Sequence, residues 1–280
     1  MLVVSTVSEL QEKHRHLKKA GSRTGFVPTM GALHPGHISL VEESVKGCEH
    51  TIVSIFVNPT QFNNPDDFKH YPVTIESDLS MLREAGVDLV FMPEVKEMYP
   101  EEDKRVFDFG GLDEVMEGKF RPGHFNGVGQ IVSKLFDFVQ PDLAYFGEKD
   151  FQQLAIIQYM TRALNYPIEI VPVPTMRERD GLAMSSRNMR LTANEREQAT
   201  LISRVLFESK ERRNRGEALE GIKAWAEGEF VAHPLFELEY FDIVDAFSLQ
   251  TLHAFDESDN PVACVAAHLG KVRLIDNMRL

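Results

Sequence analysis

The 280-residue chain is 43% hydrophobic and 26% charged, with 18 Gly, 14 Pro and 2 Cys, which excludes a mostly disordered chain, a collagen-like repeat and a disulfide scaffold. Its 30 Lys+Arg and 43 Asp+Glu leave a formal net charge of -13, which argues against broad binding to nucleic acid or anionic membranes. A phosphorylated ligand would need cations gathered locally. No apolar run approaches the ~18 to 20 residues of a membrane span, and the first residues lack the basic leader and apolar stretch of a signal peptide, so a cytoplasmic protein is expected.

In chain order, Thr6-x-x-Glu9 is a capping-box pattern that opens a helix, with a stop expected near Gly21. Compact apolar runs at 25–29, 51–57, 87–92, 143–146 and 168–173 read as buried strands bounded by Pro, Gly, Asn or Asp. Between them, apolar residues recur at helical spacing: Ile38, Val41 and Val45; Ile75, Leu79 and Leu82; Ile131, Leu135, Phe138 and Val139; Phe151, Leu154, Ile157 and Met160. This alternation implies an α/β fold, a Rossmann-like parallel sheet with helices on both faces. Beyond about 175 come helix patterns over 192–214 and 219–230 and strand-like runs at 238–244, 262–267 and 272–275, a smaller C-terminal α+β domain. Pro172 and Pro174 stiffen the junction, which divides the chain into a parallel-sheet domain, 1–175, and the smaller domain, 176–280. The basic run at 210–215 reads as the solvated end of a helix.

Ligands of open parallel sheets bind beyond the carboxyl ends of the strands. The first such loop carries Met30, Gly31, Ala32, Leu33, His34, Pro35, Gly36 and His37, and a helix begins near Gly36. Histidines three residues apart at a helix start can face the same way. Gly36 removes the Cβ that would hold a base away from the backbone, and the helix end offers N–H groups to phosphate. A His-x-Gly-His string arises by chance roughly 0.02 times in such a chain. Turn histidines capping their own backbone, or a zinc site whose remaining ligands are not evident, are the other readings.

A second loop carries Gly147, Glu148, Lys149 and Asp150 before a helix with Gln153 in its first turn. Lys149 can neutralise phosphate as a point charge. Asp150 either caps the helix or holds a ribose hydroxyl, and Gln153 either binds ligand or is an exposed helical amide. A third segment, Met184, Ser185, Ser186, Arg187 and Asn188, sets two hydroxyls beside a guanidinium that can grip phosphate oxygens. It reads as a mobile loop able to close over a triphosphate. There is no G-x-x-x-x-G-K-[ST] loop and no G-x-S-x-G elbow, and the pair Gly127 and Gly129 lacks the third glycine of a dinucleotide fingerprint. What remains is chemistry at the α-phosphate of a nucleotide, driven by position and fixed positive charge.

The block 30–37 with its HxGH pair, 56–62 with Asn58 and Gln61, 121–125 with Arg121 and His124, 146–153, 184–188 and the closing Arg273, Asp276 and Asn277 together resemble the pantothenate synthetase (pantoate:β-alanine ligase) family, of the HIGH/KMSKS nucleotidyltransferase superfamily. The resemblance runs in order through nearly the whole chain. It implies that pantoate attacks the α-phosphate of ATP to give pantoyl adenylate and pyrophosphate, and that β-alanine then displaces AMP. By the family pattern His34 and His37 bind the phosphates, with His37 the proton donor. Lys149 and Arg187 steady the transition state, and Ser185 and Ser186 hold phosphate oxygens. The pattern sets Asp150 and Gly147 near the ribose, with the backbone around Met176 and Met184 framing the adenine. It gives Gln61 and Gln153 to pantoate, with Gln61 also on the β-alanine path, and implies Mg²⁺ arriving with ATP, Asp78 as an acid near that ion, and a homodimer. Pro35 in the variable slot of the HxGH pattern and Val73, where an Arg is common, are departures. Two other readings stay open at this point: an adenylyltransferase that stops after transferring AMP, and a nucleotide-binding regulator without turnover.

Overall fold

The computed structural model describes residues 1–18, 20–62 and 68–280. They group into two units: Met1–Gly111, Arg121–Glu148 and Gln153–Pro174 form the first, and Leu112–Phe120, Lys149–Gln152 and Thr175–Leu280 the second. The described helices of four residues or more are α1 (Val7–Leu17), α2 (Pro35–Gly47), α3 (Ile75–Glu84), α4 (Val95–Met98), α5 (Met116–Phe120), α6 (His124–Val139), α7 (Phe151–Ala163), α8 (Ala193–Gln198), α9 (Thr200–Asn214) and α10 (Leu219–Val231). Among the described residues no helix is long and apolar enough to cross a membrane.

In the first unit β1 (Leu2–Val4), β2 (Thr24–Thr29), β3 (His50–Ile55), β4 (Leu89–Phe91), β5 (Leu143–Gly147) and β6 (Glu169–Val173) make one sheet in the order β1-β4-β3-β2-β5-β6. Every pairing in it is parallel, as the strand–helix alternation implies. Register lets each strand serve two cores. Val27 pairs with Val53, and Val53 with Val90; they share a face with Val41 of α2 and Leu82 of α3 in one apolar cluster. The alternate residues Phe26, Ile52, Leu89 and Ala144 are in register on the other face. There Phe146, on the same face as Ala144, meets Phe136 of α6 edge-on, and His14 of α1 hydrogen-bonds Thr24 across 2.9 Å.

From β2 the chain winds through β3 and β4 in one direction, whereas β5 and β6 lie on β2's other side. The order therefore reverses between β2 and β5, the position at which such sheets open a crevice. The capping box of α1 forms as expected, with Glu9 N–H donating to Thr6 and the Glu9 carboxylate accepting from Thr6 N–H. The helix nevertheless ends at Leu17, because Lys18 turns extended before Gly21 is reached. Pro172 and Pro174 do not lie in a linker alone: Pro172 pairs with Phe146 inside β6, an edge strand, where a missing N–H is tolerated.

In the second unit β7 (Phe236–Asp245), β8 (Pro261–Leu269) and β9 (Val272–Arg279) form an antiparallel sheet with a bulge between Leu238 and Tyr240. Ile202, Val205, Ile222 and Phe230 from α9 and α10 pack with Phe241, Ile243, Val265 and Leu274 in its core. The single helix expected over 192–214 is two, divided at Ala199. The basic run at its end is only partly solvated, since Arg212 lies over the Trp225 ring at 4.1 Å and pairs with Glu217 at 3.0 Å.

Candidate active site

The turn after β2 is held in an unusual backbone conformation. Gly31 (φ 78) and Ala32 (φ 50) both occupy the left-handed region, where a Cβ is disfavoured. A Cβ on Gly31 would also lie 3.1 Å from Asp78 Oδ2. The turn is fixed by Asp78 of α3, which is 1% exposed. Its Oδ2 accepts from Ala32 N–H and its Oδ1 from Leu33 N–H, each at 2.9 Å, and Thr74 Oγ1 donates to Oδ1 at 2.9 Å. Asp78 thus holds the left-handed turn from a separate helix.

His34 stands at the N-cap of α2, Pro35 opens its first turn, and no acidic side chain offsets the helix's positive end there. The His34 and His37 rings lie 4.0 Å apart. His34 N–H donates to His37 Nδ1 at 3.3 Å, so a neutral His37 carries its proton on Nε2. Of the three readings of these histidines, self-capping is therefore partly realised, through the Nδ1 side of His37.

Gln61 ends a short 3-10 turn, Pro59–Gln61. Its Nε2 donates to Met30 Sδ at 3.0 Å, which brings together two residues picked out from distant blocks. Asn58, 1% exposed, donates from Nδ2 to Gln61 Oε1 and to the Gly127 carbonyl, both at 3.2 Å, and accepts at Oδ1 from Tyr99 and Thr60. The Gln61 carbonyl accepts from His124 Nδ1 at 2.8 Å and Arg121 Nη2 at 3.4 Å. Gly127 is required by this packing: a Cβ there would sit 2.4 Å from the Thr60 carbonyl oxygen. The glycine pair at 127 and 129 thus serves helix packing, Gly129 facing Phe107 and Phe109. Asn58, Tyr99 and the structural role of Asp78 are not assigned by the sequence patterns; the Asn beside Pro59 was the available signal. Gln153, in the first unit, lies half-buried near the start of α7. Its neighbour Gln152, in the second unit, is structural: Nε2 donates to the carbonyls of Leu112 and Val115 at 2.7 and 2.8 Å.

At the end of β5, Gly147 pairs with Val173 and Glu148 N–H donates to the Val173 carbonyl at 2.8 Å. In the second unit Lys149 Nζ lies 3.5 Å from Asp150 Oδ1, and Asp150 directly precedes α7. Met176 and Met184 are joined by the Met184 N–H bond to the Met176 carbonyl at 2.9 Å, closing a hairpin with a bridge between Arg177 and Ala183. Ser185 then caps a 3-10 turn, Ser186–Arg190, by accepting from Arg187 N–H at 3.2 Å, and Ser186 is buried. The segment is braced: Asn188 Nδ2 donates to Glu178 Oε1 and the Ala183 carbonyl, and Arg196 pairs with Glu178 at 2.9 Å and Asp180 at 2.7 Å. Arg196 draws the Asp180 carboxyl below its ordinary value.

The first unit thus presents two imidazoles at a helix N-terminus and a fixed amide, and the second a lysine, a guanidinium and two hydroxyls, donors suited to phosphate and carboxylate oxygens. A family model described as pantoate-beta-alanine ligase matches residues 2–279. The chain is 50% identical over 279 residues to a pantothenate synthetase of Porphyromonas gingivalis, covering 100% of this chain and 99% of that one. To the enzyme of the same description from Bacteroides thetaiotaomicron it is 52% identical with the same coverage. The crystal structure of pantothenate synthetase from Thermus thermophilus superposes with a TM-score of 0.94 at 43% identity over 99% of both chains. That of the Francisella tularensis pantoate-beta-alanine ligase complexed with beta-gamma ATP and beta-alanine does so with a TM-score of 0.83 at 35% identity, covering 100% of this chain and 97% of that one. Matched along its length in both sequence and fold, the chain belongs to the pantoate-beta-alanine ligase family.

Proposed function

We propose that this chain condenses (R)-pantoate with β-alanine to pantothenate at the expense of ATP, releasing AMP and pyrophosphate through a pantoyl adenylate. The observation that carries this reading is the family match over residues 2–279, together with a relative crystallised with an ATP ligand and β-alanine. A pantoate carboxylate oxygen bonds to the α-phosphorus as the bond to pyrophosphate breaks. The β-alanine amine then attacks the acyl carbon, the C–O bond to AMP breaks, and the amine loses a proton.

ATP is held by 30–37, with His34 and His37 on the phosphates. His37 donates from Nε2, the nitrogen opposite its accepting Nδ1. Lys149 and Arg187 balance the charge that builds on departing pyrophosphate, and Ser185 and Ser186 donate to phosphate oxygens. Gly147, Glu148 and Asp150 take the ribose side, and the Met176 and Met184 backbones the adenine. Gln61 and Gln153 bind pantoate, with Gln61 also reaching β-alanine; the anchoring of Gln61 by Asn58 and His124 supports a fixed recognition group. Among the described residues no group of three or more His, Cys, Asp or Glu could cage a metal. Asp78 accepts hydrogen bonds from the turn at both oxygens, so its part near Mg²⁺ would be that of an outer acid that holds the turn carrying His34. Mg²⁺ would come bound to the phosphates of ATP and to water. The enzyme would work in the cytoplasm as a homodimer.

Isotope exchange between pyrophosphate and ATP that requires pantoate, with AMP release that further requires β-alanine, is the expected result. AMP release indifferent to β-alanine would contradict this reading, and exchange with no AMP release on adding β-alanine would instead identify an adenylyltransferase that stops at AMP transfer.

A further inference from the structure

The closing strand of the second unit contains a residue that its own pattern does not explain. Along β9 the buried positions Val272 and Leu274 belong to the apolar core, and the next inward position is Asp276, 3% exposed. Burial raises its pKa against the pull of Arg177, and a carboxylate set in an apolar row is unfavourable unless it is fully bonded. It is bonded by Arg177, whose Nη1 donates to Oδ2 at 2.6 Å and whose Nη2 donates to Oδ1 at 3.0 Å. The same guanidinium donates to the carbonyls of Gly181 and Asn277, at 3.1 and 3.2 Å. It thereby locks the hairpin that leads into Ser185 and Arg187. The next residue, Asn277, projects to the opposite side of the strand and donates from Nδ2 to the Lys149 carbonyl at 2.9 Å. Two consecutive residues of β9 thus hold the two sequence-distant segments that carry Lys149 and Arg187, both within the second unit.

We infer that Asp276 and Asn277 are positioning residues for adenylate formation, setting the lysine and the arginine relative to one another; this rests on the proposed adenylation chemistry. Asn277 is the sharper member, because it is half-buried and removing its amide leaves the Asp276–Arg177 pair in place. Lys149 acts on the departing pyrophosphate, so its displacement should slow the first half-reaction and spare the second. Misplacement of a reacting group by about 1 Å can slow a reaction roughly a hundredfold.

The test is Asn277→Ala, measured by pantoate-dependent pyrophosphate–ATP exchange, by β-alanine-dependent consumption of supplied pantoyl adenylate, and by Tm. The expected result is exchange slowed by roughly ten- to a hundredfold, with consumption of the adenylate and Tm near wild type. In a Lys149→Ala background the same substitution should add no further loss. Both half-reactions falling together with Tm, or a full additional loss in that background, would reduce Asn277 to a structural role. Normal exchange in Asn277→Ala beside an active wild type would overturn the inference alone; absence of exchange in the wild type would overturn the proposed function and the inference with it.

Discussion

His37 accepts through Nδ1 from the backbone of His34, which fixes which nitrogen carries the proton in the neutral ring. Replacing His37 by Ala should lower the rate of adenylate formation by roughly 10²- to 10³-fold, the scale for losing one preorganised donor, with Tm little changed; single-turnover assays and thermal melts check both. The histidines were legible because their spacing and their place after a strand carry meaning together. Asp78 was legible only as an acid, because the groups that define it, Ala32 and Leu33 N–H, lie on another element and are reached by folding. Asp78→Ala would leave those two buried donors without their acceptor, and unfolding in urea should show a loss of about 1–3 kcal/mol. Adenylation should fall as well, since the left-handed turn that carries His34 loses its brace. Unchanged adenylation would show that the turn holds itself.

At the scale of elements, the sheet and the capped first helix followed from period and capping pattern, whereas β1 did not. It is three residues long, sits at the sheet edge, and leaves Leu2 and Val3 about half exposed, at 47% and 48%, so it carries little alternation to read. The glycines at 127 and 129 were read against a nucleotide fingerprint and failed it; their purpose is close packing, and only the tertiary neighbours show that. Because α6 meets the 59–61 turn at Gly127, Gly127→Ala should force the two apart. Overpacking of this kind costs about 1–3 kcal/mol, and the displaced turn carries Gln61. The expected signature is a lower Tm together with a raised KM for pantoate, measured with ATP and β-alanine saturating. A lowered Tm with an unchanged KM would separate the turn's packing from substrate binding.

For the whole molecule, the net charge of -13 sets the surface, and the donors grouped at 30–37 and at 149 and 184–188 are the local exceptions at which we propose that the anionic substrate binds. Carboxylates also tie stability to pH. Burial alone would raise the Asp245 pKa, but bonds from Ser258 and Ser248 and from the N–H groups of Ser248 and Phe247 outweigh it and hold the group at about 2. A depressed carboxyl contributes stability that is complete above its unfolded value of about 3.9 and is lost as pH falls through the folded value. Asp245→Asn should therefore weaken the protein at neutral pH and flatten its loss of stability between about pH 4 and pH 2, checked by denaturant unfolding across that range. The reaction itself is tested most directly with pantoate labelled with ¹⁸O in its carboxylate, incubated with ATP and β-alanine, and the products weighed by mass spectrometry. Attack on the α-phosphorus followed by aminolysis predicts one label in AMP and one in pantothenate; ADP with labelled inorganic phosphate would contradict the adenylate route.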